Sequence, residues 1–157
     1  LAHERRMNFV ISIFGDGPLK NNLLKKITDF ELSNVVRLQG HKSDIYPIMK
    51  AWDVFVLTSQ NEGLPMSLLE AMSVGVIPIC TRVGGMQEVI DDQKNGYLVE
   101  LDDYRELANR LYCLCHEDDE KKKYMKDNAQ QKVAQEYSIA SSLEKLIAAY
   151  DSNVNHV

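Results

Sequence analysis

The sequence predicts an α/β fold: a doubly wound parallel sheet in a three-layer arrangement, with helices packed on both faces. Three observations predict it. Short apolar runs with the look of buried strands recur along the chain, and stretches with helical spacing of apolar residues separate them. Such alternation is the pattern of a parallel sheet covered on both sides. Turns bearing glycine or proline punctuate it at Gly15-Asp-Gly17-Pro18, Gly40, Gly63-Leu-Pro65 and Gly84-Gly85. With 157 residues, 45% apolar and 26% charged, one domain with a core of respectable size is expected.

Taken in order, a first strand is expected over residues 8–14, ending at the Gly15 turn, with a helix over 19–30 behind it. The second strand, 35–39, leads to a helix over 43–50, for which Ser43 and Asp44 are good openers. Val54-Phe-Val-Leu57 reads as the third strand. The helix after it, 65–73, starts on Pro65, whose missing N–H would have had no partner in a first turn. A fourth strand over 76–80 contains Pro78, which is awkward because proline cannot donate to a ladder. A short helix over 85–90 and a strand over 97–100 follow. Helices over 104–116, 120–135 and 139–150 close the chain; the acids Asp102 and Asp103 stand at the positive end of the first of these. The charged stretch from Glu117 to Lys123 reads as a solvated junction.

A net charge of −5 makes the chain no electrostatic match for nucleic acid or an anionic membrane. No apolar run reaches the ~20 residues of a membrane span, so no transmembrane segment is expected. Leu1 is not a start methionine, and the chain reads as an excised piece. Cys80, Cys113 and Cys115 are too few for a disulfide framework. Cys113 and His116 share a helical face but lack further ligands, so no metal site is expected. Reduced thiols and a cytoplasmic setting follow.

The chemistry concentrates in Ser59-Gln-Asn-Glu62-Gly-Leu-Pro-Met-Ser-Leu-Leu-Glu70, where seven residues separate two carboxylates. Strand, turn and proline-led helix together place free backbone N–H groups at the carboxyl end of a sheet, where anions bind. Glu62 lies in the turn ahead of those donors. Glu70 lies on the helix, on the face of Met66 and Ser67, with its side chain leaning toward the N-terminus. In isolation such a pair reads as solvated charge. Two carboxylates flanking an anion site are poorly suited to grip phosphate and well suited to accept from hydroxyls on either side of it. A sugar on one flank and a ribose on the other is the shape of a nucleotide sugar.

The stretch continues through Ser67-Leu-Leu-Glu-Ala-Met72, Gly75-Val-Ile-Pro-Ile79 and Val83-Gly-Gly-Met-Gln-Glu88. It resembles the nucleotide-sugar-binding half of the retaining glycosyltransferases of family four, or group 1, which have the two-domain GT-B fold. The resemblance spans residues 9–111 with specific motifs and runs more loosely to residue 150. It implies that residues 1–157 form a single Rossmann-like, donor-binding C-terminal domain of a metal-independent transferase acting in polysaccharide or glycolipid biosynthesis. The substrate would be a nucleotide-diphosphate sugar, with no cofactor. Glu62 would contact hydroxyls of the transferred sugar and shape the reacting centre, as the catalytic residue. Glu70 would bind ribose hydroxyls, and the segment Gly63, Leu64, Pro65, Ser67, Leu68 and Leu69 would hold the diphosphate through backbone N–H groups. Gly15 and Gly17 fail as a dinucleotide fingerprint, because Lys20 stands where a third glycine belongs. Locally they read as a tight turn; the resemblance puts them beside the diphosphate. It also puts His41 and Lys42 at the base, and Gly84, Gly85 and Glu88 along the cleft near sugar or acceptor.

Two parts of the family pattern would precede Leu1: a Gly-Arg…Lys segment that neutralises the diphosphate, and the sheet's central first strand. The N-terminal acceptor domain would also lie outside the chain. Activity of the isolated chain is therefore not expected, while peripheral membrane association of the parent is compatible with the reading. Without the first strand, either residues 8–14 pair directly with 54–57 or another copy covers the exposed edges. The rival readings are an epimerase or hydrolase half-domain on a similar scaffold, and a non-catalytic nucleotide-sugar-binding module.

Overall fold

The computed structural model describes residues 9–154, which fall into two compact units divided after Ile45. The first unit is a βαβ motif. β1 (Ile11–Phe14) and β2 (Val36–Gly40) pair in parallel, and α1 (Lys20–Asp29) connects them. Asn8, expected in the first strand, lies outside the described residues, and Phe9 and Val10 precede the ladder. The ladder slips between Ile13 and Phe14, so that Phe14 faces Gly40. Strand β2 thus extends one residue beyond the expected 35–39, and Gly40 becomes its last member.

The second unit opens with α2 (Tyr46–Met49), a single turn in place of the helix expected over 43–50. Pro47 explains the shortening. In a helix begun at Ser43 its ring would strike the carbonyl four residues back, and it has no N–H to donate there. Starting at Tyr46 puts Pro47 in the first turn, where neither penalty applies.

Behind it, β3 (Val54–Leu57), β4 (Ile77–Thr81) and β5 (Tyr97–Val99) form a parallel sheet in the order β3-β4-β5. Among the described residues, the ladders within each unit join β1 to β2 in the first, and β3 to β4 and β4 to β5 in the second. The connecting helices are α3 (Met66–Ser73) and α4 (Met86–Val89); α5 (Tyr104–His116), α6 (Asp119–Glu136) and α7 (Ile139–Val154) follow. Both faces of the sheet are packed. On one, Cys80 and Leu98 join Leu68, Leu69, Met72, Met86, Val89 and Ala129; on the other, Ile77, Ile79, Tyr97 and Val99 meet Leu114 and Met125. Period-2 alternation in β4 and β5 sends neighbouring residues to opposite cores, which makes this unit three layers thick.

Pro78 sits in the central strand after all, facing Phe55 of β3. The ladder with β5 begins only at Ile79 and Tyr97, so no bond is demanded of the missing N–H on that side. Gly96 closes over the proline ring: a Cβ there would lie 2.6 Å from Pro78 Cγ. Among the described residues no helix is long and apolar enough to cross a membrane.

Candidate functional site

The carboxyl ends of β3 and β4 deliver two loops that lock together. Val-Phe-Val-Leu57 pairs with β4 as far as Leu57 opposite Cys80. One residue further on, the Thr81 hydroxyl takes over from the backbone ladder and donates to the Ser59 carbonyl at 2.6 Å. The Ser59 hydroxyl in turn donates to Glu62 Oε1 at 2.8 Å. From the second loop, the Gly85 N–H donates to the Gly63 carbonyl at 2.8 Å. The approach is so close that a Cβ on Gly84 would lie 1.8 Å from the Glu62 carbonyl oxygen, and one on Gly85 would lie 2.3 Å from that of Gly63. Gly84 also holds φ +49°, a conformation that L side chains rarely adopt. Glu62, Gly63, Gly84 and Gly85, each a candidate from sequence, are thus brought together.

Pro65 then caps α3 with extended backbone. The N–H groups of Leu68 and Leu69 both turn back to the Pro65 carbonyl, at 3.1 and 3.4 Å, and their side chains are buried. The N–H groups of Met66 and Ser67 precede any intrahelical acceptor, as first-turn donors must. Leu64 is exposed beside them. Leu68, Leu69, Ala71 and Met72 face the core, whereas Met66, Ser67, Glu70 and Ser73 are exposed or half-buried. Glu70 therefore shares the outward face with Met66 and Ser67. This corner can accept hydroxyl hydrogens at Glu62 and Glu70 and donate to an anion at the helix start, which the α3 dipole favours.

Gly15, Gly17, His41 and Lys42 belong to the first unit. The Gly15 N–H donates to the Gly40 carbonyl at 2.9 Å, so the turns after β1 and β2 lie side by side with His41 and Lys42 exposed. Lys20 pairs with Asp16 at 3.1 Å. Glu88 is exposed on α4. The Arg82 guanidinium is engaged by Glu100 at 2.9 Å. Among the described residues, no group of three or more His, Cys, Asp or Glu could hold a metal ion; His116 Nδ1 stands 2.8 Å from the Tyr112 carbonyl oxygen. The three cysteines are free, and burial pushes the Cys80 thiol up to about 12. Burial likewise raises the Tyr137 hydroxyl above its ordinary range. A cavity of about 500 Å³ lies elsewhere, at the amino end of β3, lined by Trp52, Gly75, Lys122 and Lys126 among others. It is distant from this chemistry in the fold, since the carboxylates gather at the opposite end of the strand.

Two residues that support the site were not singled out from sequence, Ser59 and Thr81. Ser59 carried a local signal, a hydroxyl three residues before a turn carboxylate; Thr81 carried none.

The family described as Glycosyl transferases group 1 matches residues 1–132. Among curated relatives, the UDP-Gal:alpha-D-GlcNAc-diphosphoundecaprenol alpha-1,3-galactosyltransferase of Escherichia coli is 34% identical over 142 residues, covering 90% of this chain and 36% of its own length. The poly(ribitol-phosphate) alpha-N-acetylglucosaminyltransferase of Staphylococcus aureus is 30% identical over 89% of this chain and 28% of its own. The chain thus spans about a third of the length of such relatives. Among solved structures, HepE of Anabaena in complex with UDP superimposes with a TM-score of 0.85 at 26% identity, over 96% of this chain and 43% of HepE. The chain belongs to the group 1 glycosyltransferases and forms a C-terminal-like, Rossmann-like domain of their GT-B fold.

Proposed function

We propose that this chain binds the nucleotide-sugar donor of a glycosyltransferase that transfers the sugar with retention of configuration and without a metal. Glu62 accepts from hydroxyls of the transferred sugar and shapes the reacting centre. The first-turn N–H groups of α3 take the diphosphate, and Glu70 accepts from the ribose. Stabilising charge on the departing diphosphate is the dominant electrostatic contribution expected of such a site. The observation that carries the reading is the fixed carboxylate of Glu62, held by Ser59 ahead of the open first turn of α3. Relatives support it: HepE has been crystallised with UDP and with UDP-glucose, and the Escherichia coli relative is named for UDP-galactose. The free cysteines support a cytoplasmic setting.

Calorimetry with UDP tests the assignment. Glu70→Ala is expected to weaken UDP by about 1.5–3 kcal/mol, the worth of a lost charge-assisted hydrogen bond. Glu62→Ala is expected to leave UDP affinity intact while reducing the additional affinity for a nucleotide sugar, and turnover in the parent enzyme. If both variants bind UDP as the unmodified chain does, the roles are wrongly assigned.

A further inference from the structure

We infer that Ser59 and Thr81 are positioning residues that raise the donor site's affinity for the sugar portion of its ligand by fixing the carboxylate of Glu62. The inference rests on the reading of Glu62 given above and goes beyond it by naming what holds that side chain in place. A glutamate in a turn loses substantial rotamer freedom when it must present one oxygen to a ligand. Here that ordering is done before the ligand arrives. The Ser59 hydroxyl occupies Oε1 at 2.8 Å, which leaves Oε2 to accept from a sugar hydroxyl. Ser59 is itself tied to the sheet: its carbonyl receives the Thr81 hydroxyl at 2.6 Å. Thr81 is only 3% exposed and ends β4, whose residues are buried throughout. The relay therefore runs from a fully buried central strand, through one backbone carbonyl and one hydroxyl, to the carboxylate. Pre-organisation of this kind raises affinity by lowering the ordering cost of binding.

The relay touches the sugar end only. Free UDP lacks the transferred sugar whose hydroxyls Glu62 accepts, so losing the relay leaves UDP affinity alone and lowers the ratio of nucleotide-sugar to UDP affinity. A merely structural role would lower stability and move both affinities together.

The test is calorimetry on the full chain with UDP, UDP-glucose, UDP-galactose and UDP-N-acetylglucosamine. Variants are Ser59→Ala, Ser59→Thr, Thr81→Val and Glu62→Ala. For the sugar nucleotide bound best, Ser59→Ala is expected to reduce the sugar-to-UDP affinity ratio about three- to tenfold, the range of one lost hydrogen bond. UDP affinity should stay within about twofold of the unmodified chain. Ser59→Thr, which keeps the hydroxyl, should restore the ratio, and Thr81→Val should reproduce the loss in part. A ratio that falls in Glu62→Ala but not in Ser59→Ala overturns the relay while leaving Glu62 as the sugar contact. A ratio unchanged in Glu62→Ala overturns that contact, and the relay with it.

Discussion

A methyl group on Gly84 would be driven into the Glu62 carbonyl, since its Cβ would lie 1.8 Å from that oxygen. The atom in the way is backbone, which no side-chain rotation relieves. Together with φ +49° at this position, the clash should make Gly84→Ala cost upwards of about 2 kcal/mol. The same variant should displace Glu62, so a urea titration and a nucleotide-sugar titration are both expected to register it; unchanged values in both would contradict the loop packing. Cys80 offers a second check at this scale. Burial raises its thiol from 9.0 to about 12, so the folded protein keeps the proton where the unfolded chain loses it. Between those two values the unfolded state binds fewer protons, and stability should fall as pH rises from 9.0 toward 12. Cys80→Ala should lack that component of the slope. At pH near 8, iodoacetamide should label the exposed Cys113 and Cys115 and spare Cys80; mass spectrometry of the modified chain reads this directly. At this scale the sequence showed what is local. Glu62, Glu70 and the glycine loops stand in one contiguous pattern, whereas Thr81 reaches Ser59 from 22 residues away. No spacing rule connects the two.

Helix boundaries show where elements obey their own sequence and where neighbours overrule it. Asp103 caps α5 by accepting the Glu106 N–H at 2.9 Å, in line with the acids expected at that end. Asp118 does the same for α6, accepting the Lys121 N–H at 2.7 Å, which starts that helix one residue ahead of the expected 120. Each of Asp103→Ala and Asp118→Ala is expected to cost about 1 kcal/mol, measured as a shift in urea midpoint without change in slope; Asn at either position should recover most of the loss. Helix α2 starts at Tyr46 rather than at the expected 43: Ser43 and Asp44 are good openers, but Pro47, four residues past Ser43, forbids a helix begun there. Pro78 went the other way. Its place in a central strand is against rule, and only the small Gly96, 18 residues on, lets β5 close over its ring. That accommodation is tertiary and leaves no trace in the strand itself. Helix α7 matches its expected start at Ile139, yet Ile139, Leu143, Leu146, Ile147 and Tyr150 are exposed, so its apolar spacing reported helix formation without reporting burial.

The two units differ in how much apolar surface they hide, and this should govern how the molecule opens. Every fully buried residue among those described lies in the second unit, from Met49 to Ala129. In the first unit Ile11 and Ile13 are 38% and 36% exposed, Phe30 is 68% exposed, and α1 buries none of its residues. Apolar burial contributes about 25 cal/mol per Å², so the β1–β2 ladder has little besides its own hydrogen bonds to oppose local opening. Hydrogen exchange should therefore be graded. Amides of Ile13 and Leu38 are expected to exchange on the order of 100-fold faster than those of Ile79 and Cys80, which open only with the second unit as a whole. The same asymmetry predicts that unfolding followed by a probe in β2 precedes unfolding followed at Tyr97, a departure from two-state behaviour. Equal protection in β2 and β4, or coincident transitions at the two probes, would show that the first unit draws stability from a source other than its own burial.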